Sequence, residues 1–261
     1  MKKEIAFILT LILIIISSCK VAPAKTQTQQ IPVFMYHRLT SDSHKTNNLT
    51  ISQSAFRSQM NYLKTNGYTT ITMDQFYASM SKKIVLPAKS VLITFDDGYI
   101  SNYKLAYPIL KVNKQKATLF MISHEVGRTS NSMNAKQLLE MDINGFRVEN
   151  HTDWHENLGS LPYAKQLNAI RAAKTSLEKL LGRKVMYLAY PCGSYNTNTI
   201  KAAHAAGCNL GLTTNEGFTS RLDNPYRINR IYMGPSDNLK TLAHKLEYGK
   251  QLIWHINTYL L

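Results

Sequence analysis

The chain reads as an α/β protein, a distorted (β/α) barrel of seven to eight parallel strands. Three observations predict it. Short apolar, β-prone runs alternate with amphipathic helical stretches along the whole body, the pattern of a parallel sheet. Behind an N-terminal leader about 230 residues remain with no second linker and no internal repeat, enough for one large domain. Polar residues with catalytic character fall at the C-terminal ends of the strand-like runs, where parallel α/β proteins carry their chemistry. At this length a barrel is the economical closure, with a doubly wound open sheet as the alternative.

The leader comes first. Met1-Lys2-Lys3 is positive, and Ile5 to Ile16 is an apolar run broken only by Thr10, the length of a signal-peptide core and short for a bilayer span. It ends in Ile16-Ser17-Ser18-Cys19, which resembles a bacterial lipobox. The expectation is a lipoprotein signal over residues 1–18 and a diacylglycerol on Cys19 that ties the protein to the membrane. An ordinary secretory signal with an incidental cysteine is the alternative; both place the protein outside the cytoplasm. Val21 to Gln30 is polar and aperiodic, so residues 19–30 read as a lipidated tether and 31–261 as the catalytic body.

Within the body, Ile31 to Tyr36 is the first strand. Phe56, Met60 and Leu63 then mark one helix face, which Asn66-Gly67 ends. Tyr68 to Ile71 is the second strand, and Thr72 caps a helix through Met80. Val91 to Phe95 is the third, followed after a glycine turn by helix near Ser101 to Lys111. Ala117 to Ile122 is the fourth. Later strands fall near Arg147 to Glu149, Val185 to Tyr190, Asn209 to Leu212 and Ile228 to Tyr232. Helices lie near Ala135 to Met141, Tyr163 to Leu181 and Asn198 to Ala206.

The formal charge is +15, and +14 without Lys2, Lys3 and Glu4. That balance favours polyanionic surfaces, yet the basic residues are scattered and form no nucleic-acid arm, so no specific nucleic acid is expected. Three cysteines are too few for a disulfide scaffold. With Cys19 lipidated, Cys192 and Cys208 are left to pair or stay free.

Four strand ends carry the chemistry. Asp96-Asp97-Gly98 closes the third strand; adjacent carboxylates there point in different directions, so one can bind a metal while the other takes a proton. His151 and His155, spaced H-x3-H, can reach one cation on a helical turn or a tight loop. With one carboxylate they make a His2Asp set suited to zinc or a similar divalent ion with positions open to water. Cys192, in Tyr190-Pro191-Cys192-Gly193, can offer a backbone N–H to an oxyanion. His37 ends the first strand, and Arg230 lies in the last. Each motif alone is modest, but their occurrence at successive strand ends is hard to reach by chance.

These residues resemble the NodB-homology polysaccharide deacetylases (carbohydrate esterase family 4), and within them the biofilm poly-β-1,6-N-acetylglucosamine deacetylases. The resemblance runs from about Ile31 to Met233. It rests on FMYH at 34–37, TFDDGYISNYKLAYPIL at 94–110, KATLFMI at 116–122, ENHTDWHENL at 149–158, AYPCG at 189–193 and RINRI at 227–231. It implies Asp97, His151 and His155 as ligands of a divalent metal, Zn2+ with Co2+ or Ni2+ as alternatives. It further implies Asp96 as general base, His37 as the subgroup's N-terminal catalytic histidine, and Arg230 as a residue that orients or tunes Asp96. Cys192 stands where the subgroup usually has tyrosine, and the further glycosidase-like domain of some relatives is not expected. The implied partner is an extracellular amino-sugar polymer, deacetylated by a monomer. Peptidoglycan, chitin-like or O-acetylated polysaccharides are alternative substrates. A non-catalytic glycan-binding lipoprotein is the alternative of another class, and it would have no need of a complete ligand set.

Overall fold

The computed structural model describes residues 28–42, 47–81 and 84–247. Its centre is a closed barrel of seven parallel strands: β1 (Val33–Tyr36), β3 (Ser90–Phe95), β4 (Ala117–Met121), β5 (Phe146–Asn150), β6 (Tyr187–Ala189), β7 (Leu210–Glu216) and β8 (Ile228–Tyr232). Around the barrel the order is β1-β8-β7-β6-β5-β4-β3, and pairing of β1 with β3 closes the ring. The eighth strand, β2 (Thr69–Thr70), pairs only with β3, at Ser90 and Val91, so it is an appendage and not a stave.

The barrel is irregular in two places. Register shifts between Leu212 and Glu216 where β7 meets β8. Strands β5 and β6 share a single aligned pair, Asn150 with Leu188. There the buried Glu149 carboxylate accepts from Met186 N and Tyr187 N at 2.7 and 2.9 Å, supplying the missing ladder. Arg183 holds Glu149 at 3.1 Å and forms an ion pair with Asp142, which fixes the chain entering β6.

Period-two alternation sorts the strand residues. Phe34, Tyr36, Val91, Ile93, Phe95, Leu119, Met121 and Val148 face outward into a core with the helices. Val33, Leu92, Phe120, Tyr187, Leu210 and Ile228 belong to a second buried cluster in the opposite phase, inside the barrel. Extending that inner phase upward brings β1 to His37, β3 to Asp96 and β8 to Arg230. The alternation that builds the core therefore also aims these three side chains at the barrel mouth.

The helices follow their local signals. In α1 (Gln53–Thr65) Phe56, Met60 and Leu63 are buried, and Ser52 caps Ala55 N. Helix α2 (Met73–Met80) starts on a capping box of Thr72 and Gln75, α4 (Ala135–Ile143) on Asn134 and Gln137, and α6 (Thr197–Ala205) on Asn196 and Thr199. Helix α5 (Tyr163–Leu181) ends at Gly182, whose left-handed φ of 66° suits glycine. Residues 239–247 are also helical.

Some expectations are refined and others corrected. The helical stretch expected near Ser101 to Lys111 is present, and it begins as a π-helical turn, Asn102–Ala106, that runs into α3 (Tyr107–Asn113). Two short pairings escaped notice: Arg38–Thr40 with Thr50–Ser52, and Gln30–Ile31 with Thr219–Ser220. The second means that the expected tether ends early. Gln29 donates to the Pro87 and Ala88 carbonyls and Gln30 pairs with Ser220, so these two residues belong to the fold. The signal segment and Cys19 lie outside the described residues. Cys192 and Cys208 do not pair: both are free, Cys192 exposed and Cys208 buried, its thiol pushed up to about 12 by burial. Among the described residues no helix is long and apolar enough to cross a membrane.

Candidate active site

The loops that follow β3, β5 and β6 carry most of the site, and their backbones are unusual. Among the described residues five non-glycine residues have positive φ, and four of them are Asp97 (74°), Thr152 (63°), His155 (59°) and Cys192 (55°). Such conformations are costly for side-chain-bearing residues, most of all for β-branched Thr152, and persist where surrounding contacts impose them. Those contacts are visible. Asn150 Oδ1 accepts from Thr152 N at 2.7 Å, and the Thr152 and Asp153 carbonyls accept from Ser123 N and His124 N, both at 3.1 Å. His151 and His155 therefore sit on a tight loop, the second of the two options the spacing left open. At Gly98 the φ of 92° is one that side-chain-bearing residues rarely adopt, and a Cβ there would displace the Met121 thioether, so glycine suits the turn by which Asp96-Asp97 passes over β4.

The expected ligands converge. Asp97 Oδ1 is 3.4 Å from His151 Nε2 and 3.5 Å from His155 Nε2, and one ligand atom from each of the three lies within 4.8 Å of the others. Donor atoms about 2.1 Å from a tetrahedral centre are separated by about 3.4 Å, so the spacing fits one ion. Two further details support the fit. Asp97 Oδ1 is buried without a hydrogen-bond partner, an acceptor aimed at two nitrogens. His151 Nδ1 is 2.8 Å from the Ala189 carbonyl, which can only accept; Nδ1 therefore bears the proton and Nε2 points its lone pair at the carboxylate. Two acceptors face to face demand a proton or a cation between them. Without a cation the first outcome shows in the pKa: burial opposes protonation of His151, but the Asp96 and Asp97 charges outweigh it and raise the value. Burial and the nearby His151 lower that of His155, which suits a neutral ligand.

Asp96 is separate from this set and differently held. Arg230, fully buried, grips it with two parallel bonds of 2.8 Å, Nη1 to Oδ1 and Nη2 to Oδ2. The guanidinium is fixed in turn by Nε donating to the Thr213 carbonyl at 2.8 Å, and it lies over the Phe120 ring. Burial pushes the Asp96 pKa up, but Arg230, then His151, hold it well below the usual carboxylate range. His37 Nε2 is 4.0 Å from Asp96 Oδ2. Burial lowers the His37 pKa despite the attraction of Asp96, so the ring is neutral near pH 7. Cys192 lies in the turn after β6, three residues beyond the carbonyl that orients His151. The structure thus gathers every expected site residue at one barrel end.

A family model described as polysaccharide deacetylase matches residues 83–211. That span holds Asp96, Asp97, His151, His155 and Cys192, while His37 and Arg230 fall outside it. YxkH of Bacillus subtilis (strain 168), a protein carrying the name polysaccharide deacetylase, is 34% identical over 206 residues, 79% of this chain and 72% of its own. The chain belongs to the polysaccharide deacetylase family. Members of this deacetylase family are metal-dependent amide hydrolases, in keeping with the Asp97, His151 and His155 cluster. Another relative, the poly-beta-1,6-N-acetyl-D-glucosamine N-deacetylase of Staphylococcus aureus (strain MRSA252), is 32% identical over 204 residues, 73% of this chain and 70% of that one. Among solved structures, the deacetylase PplD of Streptococcus pyogenes in complex with acetate superposes with a TM-score of 0.78 at 30% identity, covering 84% of this chain and 98% of that one.

Proposed function

We propose that this deacetylase removes N-acetyl groups from a β-1,6-linked N-acetylglucosamine polymer outside the cytoplasm, at a membrane to which Cys19 anchors it. The observation that carries the chemistry is the arrangement at one barrel mouth of a three-ligand cluster, a separate arginine-held carboxylate and a histidine. The likeness to the staphylococcal enzyme supports the choice of polymer.

Asp97, His151 and His155 would hold the divalent ion, Zn2+ with Co2+ or Ni2+ as alternatives. Such an ion supplies Lewis acidity, lowering the pKa of water and polarising a carbonyl. Asp96 accepts the proton from water as its oxygen bonds to the acetamide carbon. Being weakly basic in the grip of Arg230, Asp96 does not keep that proton, and His37 Nε2, 4.0 Å away in the resting structure, receives it once the two groups close to hydrogen-bond distance around bound substrate. The Cys192 N–H is assigned to the developing oxyanion. Collapse breaks the C–N bond while His37 protonates the departing nitrogen, which a neutral resting imidazole can do once charged by this relay. Acetate and a free amine result, leaving the polymer cationic and adhesive to anionic surfaces.

The test is acetate release across a polymer panel. Release from β-1,6 oligomers is expected to exceed that from β-1,4 chitooligosaccharides, peptidoglycan and acetylated xylan. Faster turnover of peptidoglycan would reassign the protein to wall modification.

A further inference from the structure

His37 is held in an unexpected way. Its Nδ1 is buried with no protein partner among the described residues, and its Nε2 stands 4.0 Å from Asp96, beyond hydrogen-bond reach. No hydrogen bond to the ring therefore fixes it. The backbone beneath it is tied instead. Four consecutive residues, 36 to 39, are each tethered to the segment that carries the double aspartate. The Tyr36 carbonyl accepts from Asp96 N at 3.0 Å. The His37 carbonyl accepts from Asn102 Nδ2 at 2.7 Å. The Arg38 guanidinium lies over the Tyr99 ring, 5.9 Å from its centroid. Leu39 N donates to Ser101 Oγ at 3.0 Å.

Asn102 is the tether at His37 itself. It is fully buried, and it opens the π-helical turn Asn102–Ala106, a local widening frequent at functional sites. The turn sets Ser101 and Asn102 side by side against the segment after β1. We propose that Asn102 is a positioning residue: its amide, with Ser101 beside it, fixes the His37 backbone and so sets the distance of the imidazole from Asp96 and the leaving nitrogen. This rests on the reading of His37 as the acid. It explains how one continuous segment, residues 96–102, places the base, one metal ligand and the acid together.

The experiment is a double-mutant cycle on two substrates, with bound metal and melting temperature measured for each variant. An N-acetylglucosamine oligomer has a nitrogen leaving group that needs a proton, and 4-nitrophenyl acetate has one that does not. Asn102→Ala is expected to lower kcat on the oligomer on the order of 10²-fold, the scale of a misplaced reacting group, with KM and metal content little changed. The loss on the aryl ester is expected to be much smaller. In the His37→Ala background Asn102→Ala is expected to cost nothing further. Should Asn102→Ala fail to fold, Ser101→Ala enters the same cycle and is expected to give the same pattern. Losses that multiply in the double variant overturn the positioning role whatever His37 does, and equal losses on both substrates overturn it where His37→Ala itself discriminates between them. A His37→Ala variant that slows both substrates alike instead removes the acid reading, and the cycle still decides whether Asn102 acts through it.

Discussion

Replacing Arg230 by methionine should destabilise the protein in a pH-dependent way. Both partners of the Arg230–Asp96 pair are nearly inaccessible, 0% and 3% exposed at the side chain, so solvent does not screen the interaction. Removing one partner of such a pair leaves an uncompensated buried charge and costs about 3–5 kcal/mol. For a chain of this size each kcal/mol lowers the melting temperature by roughly 2–4 °C, so a fall of roughly 10 °C is expected. Arg230 holds the Asp96 pKa below its unfolded value. Its stabilisation is therefore present above the ordinary carboxylate pKa and lost as pH falls through the folded value. Without Arg230 burial dominates, the folded pKa rises above the unfolded one, and stability is lost as pH rises. The gap between wild type and Arg230→Met should thus widen from pH 5 to pH 8 in thermal melts. The double variant Asp96→Leu/Arg230→Met, with no buried charge left at the pair, should regain most of the stability while remaining inactive. A single variant melting within 2 °C of wild type, or a gap independent of pH, would refute the reasoning.

Three further outcomes separate the roles. Asp97→Asn should lower metal affinity by about 10-fold or more, whereas Asp96→Asn should retain metal and lose activity by roughly 10²-fold; equal metal loss by elemental analysis would reverse the assignment. Gly98→Ala combines a φ of 92° with displacement of the Met121 thioether and should lower stability by more than about 1 kcal/mol in chemical denaturation, so an unchanged midpoint would contradict the packing described. Cys19→Ser should leave the protein unprocessed or released into the medium; continued partition into detergent at the mature mass would exclude the lipid anchor.

Much of this site was legible in the sequence because strand periodicity and strand-end polarity carry it. Inner-phase residues of β1, β3 and β8 lead to the positions of His37, Asp96 and Arg230, and the H-x3-H spacing marks two candidate ligands, whereas the choice of Asp97 over Asp96 as the third rests on the family resemblance. The arginine was the faintest of these, since a lone arginine in an apolar strand shows its role only when a carboxylate on a distant strand meets it. What escaped was set by tertiary contact. The π-helical turn at Asn102 has no periodic signature, and an asparagine in a polar stretch resembles any surface residue until its amide is seen on the His37 carbonyl. Pairing of Gln30 with Ser220 depends on a partner 190 residues away, so polarity alone read that segment as tether.

The most direct test is acetate release from a β-1,6-linked N-acetylglucosamine oligomer before and after removal of metal by a chelator. Release should vanish in the stripped protein, return with stoichiometric Zn2+, Co2+ or Ni2+, and fail to return in the His151→Ala variant. Undiminished release from metal-free protein would contradict a catalytic cation at Asp97, His151 and His155.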